Sequence, residues 1–201
     1  MSEKRLIKML IAGVGGQGVV YTTNLMIEAS LLAGVQAATS EIHGLSQRAG
    51  SVVAGLTFGP NAFGFVQKGG ADLLIGLEAL EAQRCLPYLH RGSMAVIDSY
   101  KIFPFAVNAG KAVYPDTERF EKYLSKHVAA IRFIKNIDTQ VEAKRRNIYL
   151  LGIASTLPNF PIEAKFIEMA IMNKSSRSDQ KNLAIFKQAR VAEKEKTQVH
   201  E

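Results

Sequence analysis

A chain of 201 residues, 47% of them hydrophobic, can bury one core and little more. One domain over residues 1–201 is therefore expected, without the separate substrate domain that a self-contained dinucleotide-dependent dehydrogenase carries. The net charge of +7 favours anionic partners and falls wholly in residues 101–201, which hold eighteen bases against eleven acids, but no run of five like charges and no basic-aromatic repeat directs it to nucleic acid. The single cysteine, Cys85, excludes an internal disulfide framework and an iron-sulfur cluster held by this chain alone, and points to the cytoplasm.

The amino terminus is basic with a short apolar stretch, but Lys8 interrupts it and a glycine turn follows too soon for a secretory leader. No apolar run approaches the roughly eighteen residues of a membrane span. Residues 6–12 read as a buried strand, 13–18 as a turn, and Val19, Thr23, Met26, Ile27 and Ser30 recur on one helical face until Gly34 caps the helix. A second strand is expected over 35–41. SVVAGLTFG and FGFVQ, joined through Gly59, Pro60 and Asn61, then read as an inserted β-hairpin.

The alternation resumes with the strand ADLLIGL, a helix over 78–89, the strand MAVID ending at Asp98, and KAVYP. Asp116 or Thr117 opens a helix DTERFEKYLSKHV, and AAIRFIKNI follows. From Thr139 the pattern is helical, with a stop at Pro158, a restart at Pro161 and a last helix from about Asp179 whose charged tail frays from about residue 191. The expected fold is α/β: a Rossmann-like three-layer sandwich with a mostly parallel sheet, the inserted hairpin and a helical C-terminal region.

IAGVGGQGVVYTTN, residues 11–24, holds Gly13, Gly15 and Gly18 at G-x-G-x-x-G spacing between a strand and a helix. Such glycines provide a tight turn, close backbone approach and a helix amino terminus whose free N–H groups attract phosphate. Glu41, ending the second strand, stands where an acid accepts hydrogen bonds from a ribose, so a free-standing dinucleotide-binding protein is one reading. The other is that the glycines merely allow tight strand-to-helix packing. Cys85 reads as a packed small hydrophobe. Glu78, Glu81 and Arg84, spaced three apart, read as a solvated face or a docking face.

The next stretch, TSEIHGLSQRAGSVV at residues 39–53, is unusually polar for the loop after a second strand. GVGGQGV followed by this stretch resembles the small (beta) subunit of the indolepyruvate ferredoxin oxidoreductases, equivalent to the gamma subunit or domain of the 2-oxoacid:ferredoxin oxidoreductase family. The resemblance continues through GLEALEAQR, through RRNIYLLG with Asn147, and into KNLAIF. It is weakest in the closing helices.

The resemblance implies an accessory subunit of a complex that oxidatively decarboxylates aryl pyruvates to an acyl-CoA with reduction of ferredoxin. Thiamine diphosphate, the iron-sulfur clusters and coenzyme A then belong to the large (alpha) subunit, and none is bound by this chain alone. The implied partners are that subunit in a hetero-oligomer, with ferredoxin as acceptor of the complex; a homodimer is the alternative for the isolated chain, and neither membrane nor nucleic acid is involved. The family motif falls on Gly13, Gly15, Gly16, Gln17 and Gly18, the candidate cofactor-binding turn. It also falls on Glu41, His43, Gly44, Gln47, Arg48, Gly50 and Ser51, and of these Glu41, His43, Gly44, Gln47, Arg48 and Ser51 are the candidate rim of a partner's active site. Ala49 departs from the glycine common in the family.

His43, Gln47 and Arg48 provide hydrogen-bond donors and a titratable ring, suited to a carboxylate, a diphosphate or a partner's backbone. The alternative is a local one, in which Arg48 pairs with Glu41 and His43 caps a turn. A regulatory module for an acidic protein is a third function class.

Overall fold

The computed structural model describes residues 5–43, 50–138, 141–173 and 177–198. Its centre is a six-stranded sheet: β1 (Ile7–Val14), β2 (Ala37–His43), β3 (Ser51–Phe58), β4 (Ala71–Gly76), β5 (Leu89–Asp98) and β6 (Ala130–Ile134). The spatial order is β2-β3-β1-β4-β5-β6. β1, β4, β5 and β6 pair in parallel, while β3 runs antiparallel to both β1 and β2. Five strands therefore point one way and β3 alone is reversed.

The expected hairpin of SVVAGLTFG with FGFVQ does not form; the inserted hairpin is β2 with β3 instead. Its register runs from Ala37 opposite Phe58 to His43 opposite Val52, so residues 44–49, which lie outside the described residues, form the connection. FGFVQ is not a strand. Its alternation has another cause: Gly64 and Val66 are buried while Phe63 and Phe65 are exposed, because the segment lies over β2 and β3. The N–H groups of Phe63 and Gly64 donate to the Thr57 hydroxyl, and the Ser40 hydroxyl donates to the Gly64 carbonyl. Side chains, rather than a ladder, thus satisfy this backbone.

Helices cover both faces of the sheet. Because strand side chains alternate, Met9 and Ile11 of β1, Leu56 and Phe58 of β3 and Ile75 of β4 face one core. That core is shared with α1 (Val19–Leu32), α5 (Arg146–Ala154), α6 (Ala164–Met172) and α7 (Arg177–Gln198). Leu10, Leu74, Ala95 and Ile97 face the other, with α2 (Ala79–Arg84) and α4 (Thr117–Leu124). Burying a side chain such as Phe58 contributes roughly 1.5–3 kcal/mol. α1 ends as expected: Gly34 takes a left-handed φ of 65° and Val35 N–H donates to the Ser30 carbonyl. Asp116 caps α4 by accepting from Glu118 and Arg119 N–H.

Several expected elements are shorter. The helix over 78–89 is only α2 followed by a 3-10 turn, Leu86–Tyr88, with Pro87 inside it. KAVYP is irregular, and the segment between β5 and α4 carries instead a short helix, α3 (Phe105–Asn108). Of the helix expected from Thr139, the 3-10 turn Ala143–Arg145 and α5 form. The final helix is longer than expected: α7 runs to Gln198, and Glu193, within the supposedly frayed tail, is buried in an ion pair with Arg132 of β6. Among the described residues no helix is long and apolar enough to cross a membrane.

Cys85 is buried in the second core, and burial, helped by the nearby Glu81 carboxylate, pushes its thiol up to about 12. The neutral thiol is the form the fold favours. Its contribution to stability is intact below the unfolded thiol value of about 8.5 and is lost as pH rises toward the folded value. In the native chain Cys85 should therefore resist a maleimide near neutral pH and react fully once denatured. Rapid native labelling would place the thiol at the surface.

Candidate functional site

The two polar motifs meet at one end of the sheet. β1 and β2 both finish there and β3 begins there, so Val14 stands opposite Ser51 and Gly13 opposite Val52. Beyond the ladder, Gly15 N–H donates to the Gly50 carbonyl at 2.9 Å. The glycine turn is thus tied directly to the exit of the loop. Glu41 and His43 lie in β2 opposite Ala54 and Val52 of β3. Gly44, Gln47 and Arg48 lie outside the described residues, as does Ala49.

Within the turn the residues divide by task. Gly16 and Gly18 have φ of 93° and 90°, a conformation L side chains rarely adopt. A Cβ on Gly18 would also stand 2.6 Å from Asn147 Nδ2. That amide of α5 sits over the start of α1, donating to the Thr22 hydroxyl at 3.0 Å. A Cβ on Gly13 would lie 2.9 Å from Gln17 Oε1. Gln17 itself spans the ends of two parallel strands: its Oε1 accepts from Val14 N–H at 2.7 Å and its Nε2 donates to the Leu77 carbonyl at 2.8 Å.

This geometry weighs against a dinucleotide. The crevice for such a ligand lies at the carboxyl ends of the strands where the chain order reverses, here between β1 and β4. The Gln17 amide bridges it. The ribose-binding acid of that fold stands on the strand next to β1, whereas β3 separates β2 from β1 and sets Glu41's strand about 10 Å away, two strand spacings. Gly13 and Gln17 are explained by internal packing.

Residues 8–192 match the pyruvate ferredoxin/flavodoxin oxidoreductase family. The chain belongs to that family. It is 34% identical over 170 residues, 81% of its own length and 83% of the relative's, to indolepyruvate oxidoreductase subunit IorB of Pyrococcus horikoshii. To the protein of the same name from Methanothermobacter thermautotrophicus it is 30% identical over 181 residues, 88% of this chain and 92% of the relative. In this oxidoreductase family the fold is also seen in the gamma subunit of the keto/oxoacid ferredoxin oxidoreductase from Geobacter sulfurreducens, with a TM-score of 0.62, 19% identity, and 92% and 99% of the two chains covered. It recurs in the 2-oxoglutarate:ferredoxin oxidoreductase from Magnetococcus marinus, with a TM-score of 0.66 and 17% identity, covering 96% of this chain and 31% of that longer one.

Beside these motifs the oxidoreductase chain carries charged groups that sequence reasoning missed or misread. Glu78 and Glu81 do not form a solvated face; both are buried. Glu78 caps α2 by accepting from Glu81 N–H, and it also accepts from Ile102 N–H and the Tyr114 hydroxyl. Burial, followed by that bond to Glu78, pushes the Tyr114 phenol up, so it stays a neutral donor. The expected spacing survives only in the Glu81–Arg84 ion pair at 3.4 Å.

Asp98, fully buried at the end of β5, takes both bonds of a bidentate pair with Arg146, each 2.7 Å. The Arg146 guanidinium also stacks 4.9 Å from the Tyr100 ring. No local spacing links Asp98 to Arg146, 48 positions apart. Among the described residues no group of three or more histidine, cysteine or acidic side chains is placed to hold a metal. A cleft of about 410 Å³ opens at the opposite end of the sheet, beside Arg5, Asp72 and Phe160, away from both motifs.

Three stability outcomes are expected. Arg146→Ala leaves the Asp98 carboxylate buried and uncompensated, costing about 3–5 kcal/mol. Asp98→Ala frees an arginine that already reaches solvent, costing nearer 1–3 kcal/mol. Urea unfolding of the two variants should rank them in that order; equal losses would mean the asymmetry of exposure does not matter. Gly18→Ala should lower the melting temperature by the equivalent of about 1–3 kcal/mol, from positive φ and the clash with Asn147 together.

Proposed function

We propose that this chain is the accessory subunit of an indolepyruvate-type oxidoreductase, working beside a large subunit that binds thiamine diphosphate, iron-sulfur clusters and coenzyme A. The observation that carries this reading is the family match over residues 8–192 together with the 34% identity to an IorB subunit across 81% of the chain. The reaction is the oxidative decarboxylation of an aryl pyruvate to its acyl-CoA, with ferredoxin taking the electrons, in the cytoplasm. Support for the division of labour comes from composition: a lone cysteine cannot ligate a cluster that requires several thiolates.

The part of this chain in that work is to present a rim to the partner. Gly15, Gly16 and Gly18 hold the turn, Glu41, His43, Gly44, Gln47, Arg48 and Ser51 are the rim, and Gly50, next to Ser51, is bonded to the turn. The free-standing dinucleotide reading is not favoured, because Gln17 spans the crevice and β3 displaces β2. Titration with NAD or NADP should accordingly give no signal at Kd values of about 10 µM or tighter, near −7 kcal/mol.

Arg48 tests the rim. It lies in a half of the chain without surplus charge, seven bases against seven acids over residues 1–100, so its charge serves one contact rather than a basic patch. Arg48→Lys removes bidentate geometry and Arg48→Ala removes the charge as well. Ferredoxin reduction by the reconstituted complex should fall by about tenfold or more, the consequence of an interfacial charge losing its partner at roughly 2–5 kcal/mol. The melting temperature of the isolated chain should hardly move. Turnover by the isolated wild-type chain, supplied with aryl pyruvate, coenzyme A and ferredoxin, would refute the accessory role.

A further inference from the structure

Between β5 and α4 the chain runs through residues 99–115 with only the four-residue α3 for regular structure, yet its backbone is pinned. Asp98 accepts from Tyr100 N–H at 2.9 Å. Glu78, a buried carboxylate from another strand end, takes Ile102 N–H at 3.1 Å and the Tyr114 hydroxyl, and Phe103 packs edge-on against Tyr114 at 5.2 Å. Two buried carboxylates thus tie both ends of a surface segment to the sheet.

What the segment displays is apolar. Phe105 and Val113 are 81% and 92% exposed, and Phe103 and Tyr100 about half. Single exposed apolar residues are ordinary, but four of them within one short segment mark an interaction surface. Residues 99–115 contain Lys101 and Lys111, both exposed, and no acid. Aromatic side chains provide large contact area at small entropic cost.

We propose that the apolar face of residues 99–115 is where the large subunit docks, through a partner recess that is apolar at its centre and carboxylate-lined at its rim. The lysines supply the charge complementarity, and Phe105 and Val113 are the anchors. This rests on the reading of the chain as an accessory subunit. The surface stands at the same end of the sheet as the glycine turn, since β1, β4 and β5 all finish there. Docking here brings both motifs toward the partner.

Phe105→Glu and Val113→Glu test it, measured as affinity for the purified large subunit of the same organism. Both side chains point to solvent, so circular dichroism and melting temperature should match the wild type. Affinity should fall at least tenfold, and Lys101→Glu with Lys111→Glu should weaken binding with a shallower salt dependence. Leu31→Glu, on the exposed end of α1, should change nothing. Anchor variants that bind within twofold of wild type overturn the surface while leaving the subunit reading intact. A wild-type chain that neither binds the large subunit nor supports its ferredoxin reduction overturns the reading, and the docking surface with it. A variant that turns a dimeric isolated chain into a monomer yet keeps its affinity for the large subunit identifies a second copy as the occupant and overturns the proposal.

Discussion

The arrangement depends on one strand running the wrong way. β3 takes the place beside β1 that a parallel second strand holds in a plain doubly wound sheet, bonding antiparallel to β1 on one side and β2 on the other. A two-strand return needs only a short connection, whereas a parallel neighbour requires a crossover. The end of β2 and the start of β3 therefore lie at the carboxyl end of β1, and the Gly15 to Gly50 hydrogen bond joins the glycine turn to the start of β3. Reversing this one strand brings Gly50, at the start of β3, to the glycine turn, and it sets the strand that carries Glu41 one place further from β1 than a ribose-binding acid would need.

A second constraint acts on the other half of the same edge. Buried carboxylates are costly unless every lone pair finds a partner, and Glu78 and Asp98 find theirs largely in the backbone of the following segment and in Arg146. Their desolvation is offset by holding residues 99–115 to the sheet. The same helix that supplies Arg146 supplies Asn147 to Gly18. α5 therefore contacts both the glycine turn and Asp98, through the adjacent side chains Asn147 and Arg146.

Elements marked by contiguous residues were legible in advance. β1, the turn and α1 follow from an apolar run, glycines and a helical face; Gly34 and Asp116 announce helix ends through φ and side-chain capping, which involve near neighbours only. The choice of pairing partner was not legible. Gly59, Pro60 and Asn61 make a real turn and FGFVQ really alternates, but alternation records burial on one side and not the identity of a hydrogen-bonded neighbour. The Thr57 and Ser40 hydroxyls decide that. Glu78 failed for a similar reason, since a three-residue spacing says which residues share a face and not what covers it, and Tyr114 lies 36 positions away.

The sequence by itself determined the α/β class, the buried strand β1 and the buried face of α1, the two polar motifs and, through the order and density of those motifs, the family. These are properties of adjacent residues, where steric limits on φ and the two periodicities of regular structure leave few options. Tertiary structure alone decided that β3 lies between β1 and β2, that Gln17 bridges the parallel strand ends, that Glu193 is buried against Arg132, and that Glu78 and Asp98 shape an exposed segment. Each of these is a contact between residues distant in sequence. Its free energy depends on what else is expelled from water at the same place, which no local pattern records.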